Sequence, residues 1–231
     1  MSAHASTGSP EAEPSEVAAL VVRETNAVRA GHGLERLNAH PALADAAQRF
    51  AEFMARSDQY GHDADGSKPA DRARAAGYAY CVIAENIAYR FSSSGFGPEQ
   101  LAAQLVQGWE QSPRHRHNML LPNVVDIGVG IARSGPTRRY YAVQVFGRPT
   151  SASTRFEIAN GADAAIRYEL DGESYTLPPR VTRTHRGCYA GVLRVNWTDG
   201  RSSAGFEPHD GVRYIVQRDH AGQLQLHASQ P

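Results

Sequence analysis

In the first half of the chain, apolar residues recur every three to four positions, which is the spacing of amphipathic helices. The pattern predicts helices at residues 15–31, 41–57, 69–76 and 98–109. Ser112 and Pro113 then predict that a new helix begins, with Ser112 as the N-cap and Pro113 as the first helical residue. Residues 1–14 are rich in Ser, Ala, Pro and Glu, which predicts a disordered tail.

Strand-like alternation appears near the middle of the chain. Residues 78–90 are β-like, and residues 126–133 place Ile or Val at odd positions opposite Gly or Ala at even positions. Such a strand has one bulky face and one nearly bare face, and a bare face allows another backbone or a helix to approach closely. Residues 140–146 return as a strand after a Ser-Gly-Pro turn. We therefore predict a hairpin inside a three-layer α-β-α domain over residues 15–149.

Beyond residues 147–153 the helical periodicity ends. The alternating runs that follow lie at residues 155–158, 165–170, 175–177, 187–197, 212–217 and 223–227. Turn-forming pairs separate them, namely Asn160-Gly161, Asp171-Gly172, Asp199-Gly200 and Asp210-Gly211. This pattern predicts a small all-β domain over residues 153–231, built as a sandwich, and an α+β fold class for the whole chain.

Charge and composition exclude several classes of function. The 231 residues carry 24 basic and 24 acidic side chains, which argues against nucleic acid or an anionic membrane attracted by bulk charge. No apolar run has transmembrane length. Residues 1–16 lack the apolar segment of a secretory signal, so the protein is either cytosolic or its signal is not part of this sequence. Cys81 and Cys188 form one disulfide or remain thiols, and the sequence leaves both open.

Three side chains are candidates for chemistry. His115 falls at the third position of the helix that Ser112 begins, where the positive helix end disfavours imidazolium, so a neutral ring is expected there to accept a proton or bind a metal. Trp109 lies about one turn before the start of this helix and can line the same site. Glu85 sits among apolar residues, so it is either on an exposed face or buried with a partner. His62 lies in a loop of Gly and Asp residues, and loops often carry function.

Other catalytic classes are not supported. No Gly-x-Ser-x-Gly motif surrounds Ser112, whose capping role explains it. The cysteines lack the context of a thiol enzyme. His-Glu-x-x-His, Walker A and dinucleotide-binding motifs are absent.

Taken together, runs such as GHDADG, AENIAYR and SPRHRHNM resemble those of the CAP superfamily, in the order in which the family has them. This superfamily comprises the cysteine-rich secretory, antigen 5 and pathogenesis-related 1 proteins, and the likeness is strongest to its bacterial SCP-like branch. It covers residues 16–149 and implies an α-β-α sandwich with a central cleft of two histidines and two acids. By motif, His62, Glu85 and His115 match three of these positions. The second acid maps near Ser112, with Glu110 close in sequence.

The resemblance also sets expectations for function. It implies catalytic roles for Glu85, His62 and His115, and a divalent metal, often zinc, on the two histidines. The remaining residues expected to line the cleft are Ser112, Trp109, Asn86 and Glu110. Family members are secreted, which favours a periplasmic or extracellular location.

Three functions stay open at this point. The first is a binding module for a lipid, a sterol or a cell-envelope component such as a glycan, with the β-domain contacting a protein partner. The second is a peptidoglycan hydrolase that uses Glu85 with the histidines. The third is an interaction protein with a vestigial cleft.

Overall fold

A proline begins each α-helix in the described part of the chain, residues 12–197 and 202–229 of a computed structural model. Proline suits this position because its missing N–H would have no partner inside the helix. The helices are α1 (Pro14–Gly31), α2 (Pro41–Ser57), α3 (Pro69–Ala75), α4 (Pro98–Gln111) and α5 (Pro113–Met119). These bounds follow the predicted helices closely. The predicted tail lies, through residue 11, outside the described residues, whereas Ala12 is buried and Pro14 is already helical.

The chain divides into two compact units, residues 1–149 and 150–231. The first contains a four-stranded sheet in the order β1-β3-β4-β2. Its strands are β1 (Asn38–Ala39), β2 (Tyr80–Arg90), β3 (Asp126–Arg133) and β4 (Tyr140–Pro149). β3 and β4 form the predicted antiparallel hairpin, β2 pairs with the other side of β4, and the short β1 runs parallel to β3. The sequence pattern did not predict β1.

Helices cover both faces of this sheet, which confirms the α-β-α arrangement. On one face, apolar residues of α1 and α4 pack with Ile127, Val129 and Ile131 of β3. On the other face, α2 and α3 pack with Ile87 of β2 and Val143 of β4. The bulky side of β3 therefore faces the first core.

The bare side of β3 lies directly against α2. A Cβ added at Gly128 would come within 2.2 Å of the Leu43 carbonyl carbon, and one added at Gly130 within 2.3 Å of the Ala47 carbonyl carbon. The helix backbone thus occupies the space that larger side chains would fill, as predicted from the alternation.

The second unit is a two-sheet sandwich. Its strands are β5 (Thr154–Asn160), β6 (Ile166–Leu170), β7 (Glu173–Leu177), β8 (Thr182–Gly187), β9 (Leu193–Asn196), β10 (Arg213–Arg218) and β11 (Leu224–Ser229). The sheet orders are β11-β10-β5-β8 and β7-β6-β9. Side chains of both sheets, including Phe156 and Tyr168, share one core.

Two details of the second unit differ from the prediction. β8 was not expected, because it alternates charged and polar residues without an apolar face. The run predicted at residues 187–197 is a strand only over Leu193–Asn196. The predicted Asp199-Gly200 turn lies outside the described residues. Among the helices described, none is both long and apolar enough to cross a membrane.

Candidate functional site

Glu85 is a buried carboxylate on β2, at the sheet's edge strand. Its side chain is only 1% exposed. The guanidinium of Arg72 on α3 donates to both carboxylate oxygens, at 2.8 Å to Oε2 and 3.1 Å to Oε1. The Nδ1 atom of His62 lies 2.8 Å from Oε1. Glu85 is therefore buried with partners, one of the two alternatives that the apolar strand sequence left open.

Arg72 ties the His62 loop to the strand. Its guanidinium also donates to Asp65 Oδ1 and to the Ser67 carbonyl, each at 2.9 Å, and to the His62 carbonyl at 2.9 Å. The guanidinium carbon lies 3.5 Å from the centre of the Phe50 ring on α2. Because a guanidinium presents its donors in a fixed fork, this single side chain sets the position of the loop relative to Glu85.

His62 is oriented by its bond to Glu85. A carboxylate can only accept a hydrogen bond, so Nδ1 of His62 carries a proton and donates it. In the neutral ring, Nε2 is then an acceptor. The His62 side chain is 51% exposed, which leaves the ring accessible to a ligand. A carboxylate that fixes the tautomer in this way is typical of histidines that bind a metal or accept a proton.

His115 is brought to the same place by the anchoring of α5 against β2. Asn86, the residue after Glu85, donates to the His115 carbonyl at 3.1 Å. Asn118 donates to the Glu85 carbonyl at 3.1 Å and to the Asn86 side-chain oxygen at 2.9 Å. Burial, and after it the positive charge that His62 can carry, lowers the pKa of the His115 imidazole. His115 is thus partly buried, in surroundings that favour its neutral form.

A line of buried polar groups supports this anchor from within the sheet. Asn86 donates to Gln144 on β4 at 3.0 Å, and Gln144 donates to the Thr25 hydroxyl on α1 at 2.7 Å. All three side chains are buried. Each is paired, so the line is a satisfied network, and such networks hold their members in one arrangement. Asn86, predicted to line the cleft, is in fact a buried support for His115.

Arg29 holds the opposite end of α5. This arginine of α1 is 1% exposed and donates to the carbonyls of Met119 at 2.8 Å and Leu121 at 2.9 Å. Burial lowers the pKa of its guanidinium. A cation at a helix C-terminus is favourable, because the last carbonyls lack partners within the helix.

The other predicted residues lie in different settings. Ser112 is the N-cap of α5 by backbone conformation, but its side chain makes no capping hydrogen bond. Trp109 is 1% exposed in the first core, where its indole N–H donates to the Ile87 carbonyl. Its ring is therefore buried and does not form an accessible surface of the site. Glu110 lines a separate groove of about 480 Å³ with His117 and Arg116.

The donor set limits what the site can hold. Among the described residues, no three His, Cys, Asp or Glu side chains form a group suited to a metal ion. Neither Cys81 nor Cys188 is a free thiol. Asp65 is an acidic residue that shares the Arg72 guanidinium with Glu85. Glu110, close to the Ser112 position where the resemblance placed the second acid, lines the separate groove instead.

The sequence pattern did not identify Arg72, Arg29 or Asn118 as parts of the site. For Arg72 one signal existed, since a carboxylate in an apolar strand requires a buried cation or donor. For Arg29 and Asn118 there was none, because their partners are distant in sequence and their residue types are ordinary on helix surfaces.

Comparison with known proteins places these features in a family. Residues 22–146 match the sequence profile of the CAP group, described as the cysteine-rich secretory protein family. The uncharacterized protein YkwD of Bacillus subtilis is 31% identical over 133 residues, which cover 56% of this chain and 49% of YkwD. The chain thus spans about half the length of the curated relative that it matches.

Solved structures show the same fold in the first unit. An extracellular protein with an SCP domain from Bacillus anthracis matches 58% of this chain and 41% of its own, with 25% identity and a TM-score of 0.50. An outer surface protein of Borrelia burgdorferi matches 58% of this chain and 93% of its own, with 18% identity and a TM-score of 0.51.

Proposed function

Because the chain belongs to the cysteine-rich secretory protein (CAP) family, we propose that it is an extracellular binding module for a cell-envelope component. The ligand, a lipid, a sterol or another envelope molecule, is proposed to bind where His62, Glu85 and His115 meet. The observation that carries this proposal is the bond between His62 Nδ1 and Glu85 at 2.8 Å. It turns the accessible His62 ring into a fixed hydrogen-bond acceptor.

The neutral form of His115 supports the same role. The His115 imidazole can accept a hydrogen bond from a ligand hydroxyl or amide group without the cost of removing a charge from water, and Nε2 of His62, in the tautomer fixed by Glu85, offers a second acceptor. The buried support from Asn86 and Arg72 means that these rings need little ordering when the ligand binds, and preorganisation of this kind increases affinity.

A divalent metal such as zinc remains part of the proposal. His62 and His115 would hold it, with Glu85 orienting His62 from outside the coordination shell. Two imidazoles and no protein carboxylate leave positions for water or ligand, so we expect modest affinity. A bound metal would act as a Lewis acid toward a ligand oxygen.

A peptidoglycan hydrolase is the second candidate, favoured by the pairing of an accessible imidazole with a carboxylate. In that case His62 would accept the proton and Glu85 would orient the His62 ring, because both Glu85 oxygens already accept hydrogen bonds. Loss of sacculus-degrading activity in Glu85→Gln is expected for this function, and activity that survives would exclude it. The His62–Glu85 pairing counts against a vestigial cleft.

The descriptions of two neighbours bear on the location. The Bacillus anthracis neighbour is described as extracellular and the Borrelia neighbour as an outer surface protein. We include a periplasmic or extracellular location in the proposal on this basis. The β-sandwich is proposed to contact a protein partner.

The test is binding to isolated envelope fractions. His62→Ala and His115→Ala should each weaken binding by about tenfold or more, the equivalent of one good polar contact. His117→Ala is the matched control, because His117 lies on the same helix but is exposed. Equal binding by all three variants and the wild type would refute the proposed site.

A further inference from the structure

The exposed large apolar side chains of the first unit gather at one end of β2. Among the described residues of this unit they are Tyr60, Tyr89 and Phe91, exposed by 48%, 43% and 56%. Single exposed aromatics need no explanation, but a group of them marks a binding surface.

Two of these rings are held in fixed positions. The Tyr60 hydroxyl donates to the Ile87 carbonyl at 3.1 Å. The Tyr60 and Tyr89 rings meet edge to face, with centres 5.2 Å apart, and Tyr89 also contacts the buried Tyr141 at 6.0 Å. We call Tyr60 and Tyr89 the tyrosine platform. Rings that are both exposed and fixed present a rigid amphipathic surface, and little entropy is lost when a ligand covers it.

The platform adjoins the candidate site. Tyr60 is two residues before His62 in the same loop, which places their Cα atoms within about 7 Å of each other. Ile87, which accepts from Tyr60, follows Glu85 by two residues on the same face of β2, or about 7 Å. A ligand that reaches His62 can therefore extend onto the platform.

Polar groups border the rings. The Arg139 guanidinium lies 5.1 Å from the centre of the Tyr89 ring and pairs with Asp58 at 3.2 Å. Both of these side chains are partly exposed, at 39% and 43%. An aromatic surface bordered by a cation and an anion suits a molecule whose faces carry C–H groups and whose edges carry hydroxyls. It suits a hydrocarbon chain less well, because the charged groups would have to lose their water.

We infer that the tyrosine platform binds sugar rings of an envelope oligosaccharide that extends from the His62 site. This inference rests on the proposed function and specifies its ligand class as a glycan rather than a lipid. Tyr60 and Tyr89 stack against the sugar faces, and Arg139 and Asp58 contact the hydroxyl edge.

The experiment measures how the whole chain pellets with purified bacterial sacculi and, in parallel, with phosphatidylcholine–phosphatidylglycerol vesicles. Wild type is expected to bind sacculi and not vesicles. Tyr60→Ala and Tyr89→Ala should each weaken sacculus binding about tenfold, as central aromatic contacts do. Tyr189→Ala, which removes a tyrosine of the second unit that is 49% exposed, should bind as wild type does.

Tyr60→Phe separates loss of stacking from loss of structure, because it keeps the ring and removes only the bond to Ile87. It should keep most of the binding, and each variant should retain the wild-type near-ultraviolet circular dichroism. If His62→Ala loses binding while both tyrosine variants keep it, the platform is wrong and the proposed site stands. Binding to vesicles alone would also overturn the glycan assignment, and binding to neither would refute both proposals.

Discussion

Replacing Arg72 by Ala should leave Glu85 as a buried charge with one remaining partner. Arg72 is 9% exposed and Glu85 1% exposed, so neither can exchange its lost contacts for full hydration. Removing one member of a buried ion pair costs about 3–5 kcal/mol in free energy of unfolding. The same change also removes the contacts to Asp65 and to two loop carbonyls, which favours the upper part of that range.

Arg74→Ala is a matched control on the same helix. Its guanidinium pairs with Asp71 at 3.0 Å, but the Arg74 side chain is 63% exposed. Exposed pairs contribute about 0.2–1 kcal/mol. The two substitutions therefore differ in burial and not in residue type, and their difference measures the effect of burying the charge.

Urea denaturation followed by Trp109 fluorescence is the assay, in a Trp197→Phe background so that the first unit alone is observed. Arg72→Ala should lower the free energy of unfolding by about 3–5 kcal/mol. The Arg72→Ala/Glu85→Gln double variant should be less destabilised than the sum of the single variants, because it no longer buries an unpaired charge. A loss for Arg72→Ala within about 1 kcal/mol of the control would refute the reasoning.

Two further predictions concern packing and pH. Gly128→Ala should destabilise the first unit by about 1–3 kcal/mol or more, because the new Cβ would lie 2.2 Å from the Leu43 carbonyl carbon. Gly135→Ala, which has open space, should change stability by less than about 0.5 kcal/mol, and equal effects in urea denaturation would contradict the packing. Burial, and after it Arg183, lowers the pKa of His185 in the β-sandwich, so its NMR titration midpoint should lie below about 6.5. The unfolded chain binds the His185 proton more readily than the folded protein does. The contribution of neutral His185 to folding stability is therefore complete above about pH 6.5 and decreases as the pH falls below that value. A titration midpoint at or above about 6.5 would contradict the prediction.

The packing of β3 could be predicted from sequence because its cause is local. Alternation of Ile or Val with Gly or Ala sets one face of a strand without reference to the rest of the chain. The structure adds only the identity of the neighbour, which is α2. The unpredicted β8 shows the limit of this signal, since Thr182–Gly187 alternates charged and polar side chains and its pairing depends on β5.

The pKa of His115 is lowered, as expected for a neutral ring, but burial rather than the helix dipole is the first cause. The sequence predicted a neutral His115 from the dipole of the helix that Ser112 begins. The helix does begin there, yet the lowered pKa of His115 comes first from burial and then from His62. Burial depends on how α5 sits against β2, and that depends on Asn86 and Asn118, which no local pattern identifies.

The sequence indicated that Glu85, if buried, requires a partner, but it did not identify which residue that partner is. An apolar strand cannot bury a carboxylate without a cation or donors. Arg72 meets this need from α3, and among neighbouring arginines only the fold distinguishes it from the exposed Arg74.

These contacts make the position of His115 depend on the fold as a whole. Arg29 fixes one end of α5 through carbonyls, and Asn86 fixes the turn that carries His115, with Gln144 and Thr25 behind it. Residues of α1, β4 and β2 therefore act on the same short helix. A helix of this length has little stability alone, so its geometry is set by these contacts rather than by its own sequence. It follows that substitutions in the buried polar line should displace His115 while leaving the His62–Glu85 bond intact, since Arg72 holds that bond independently.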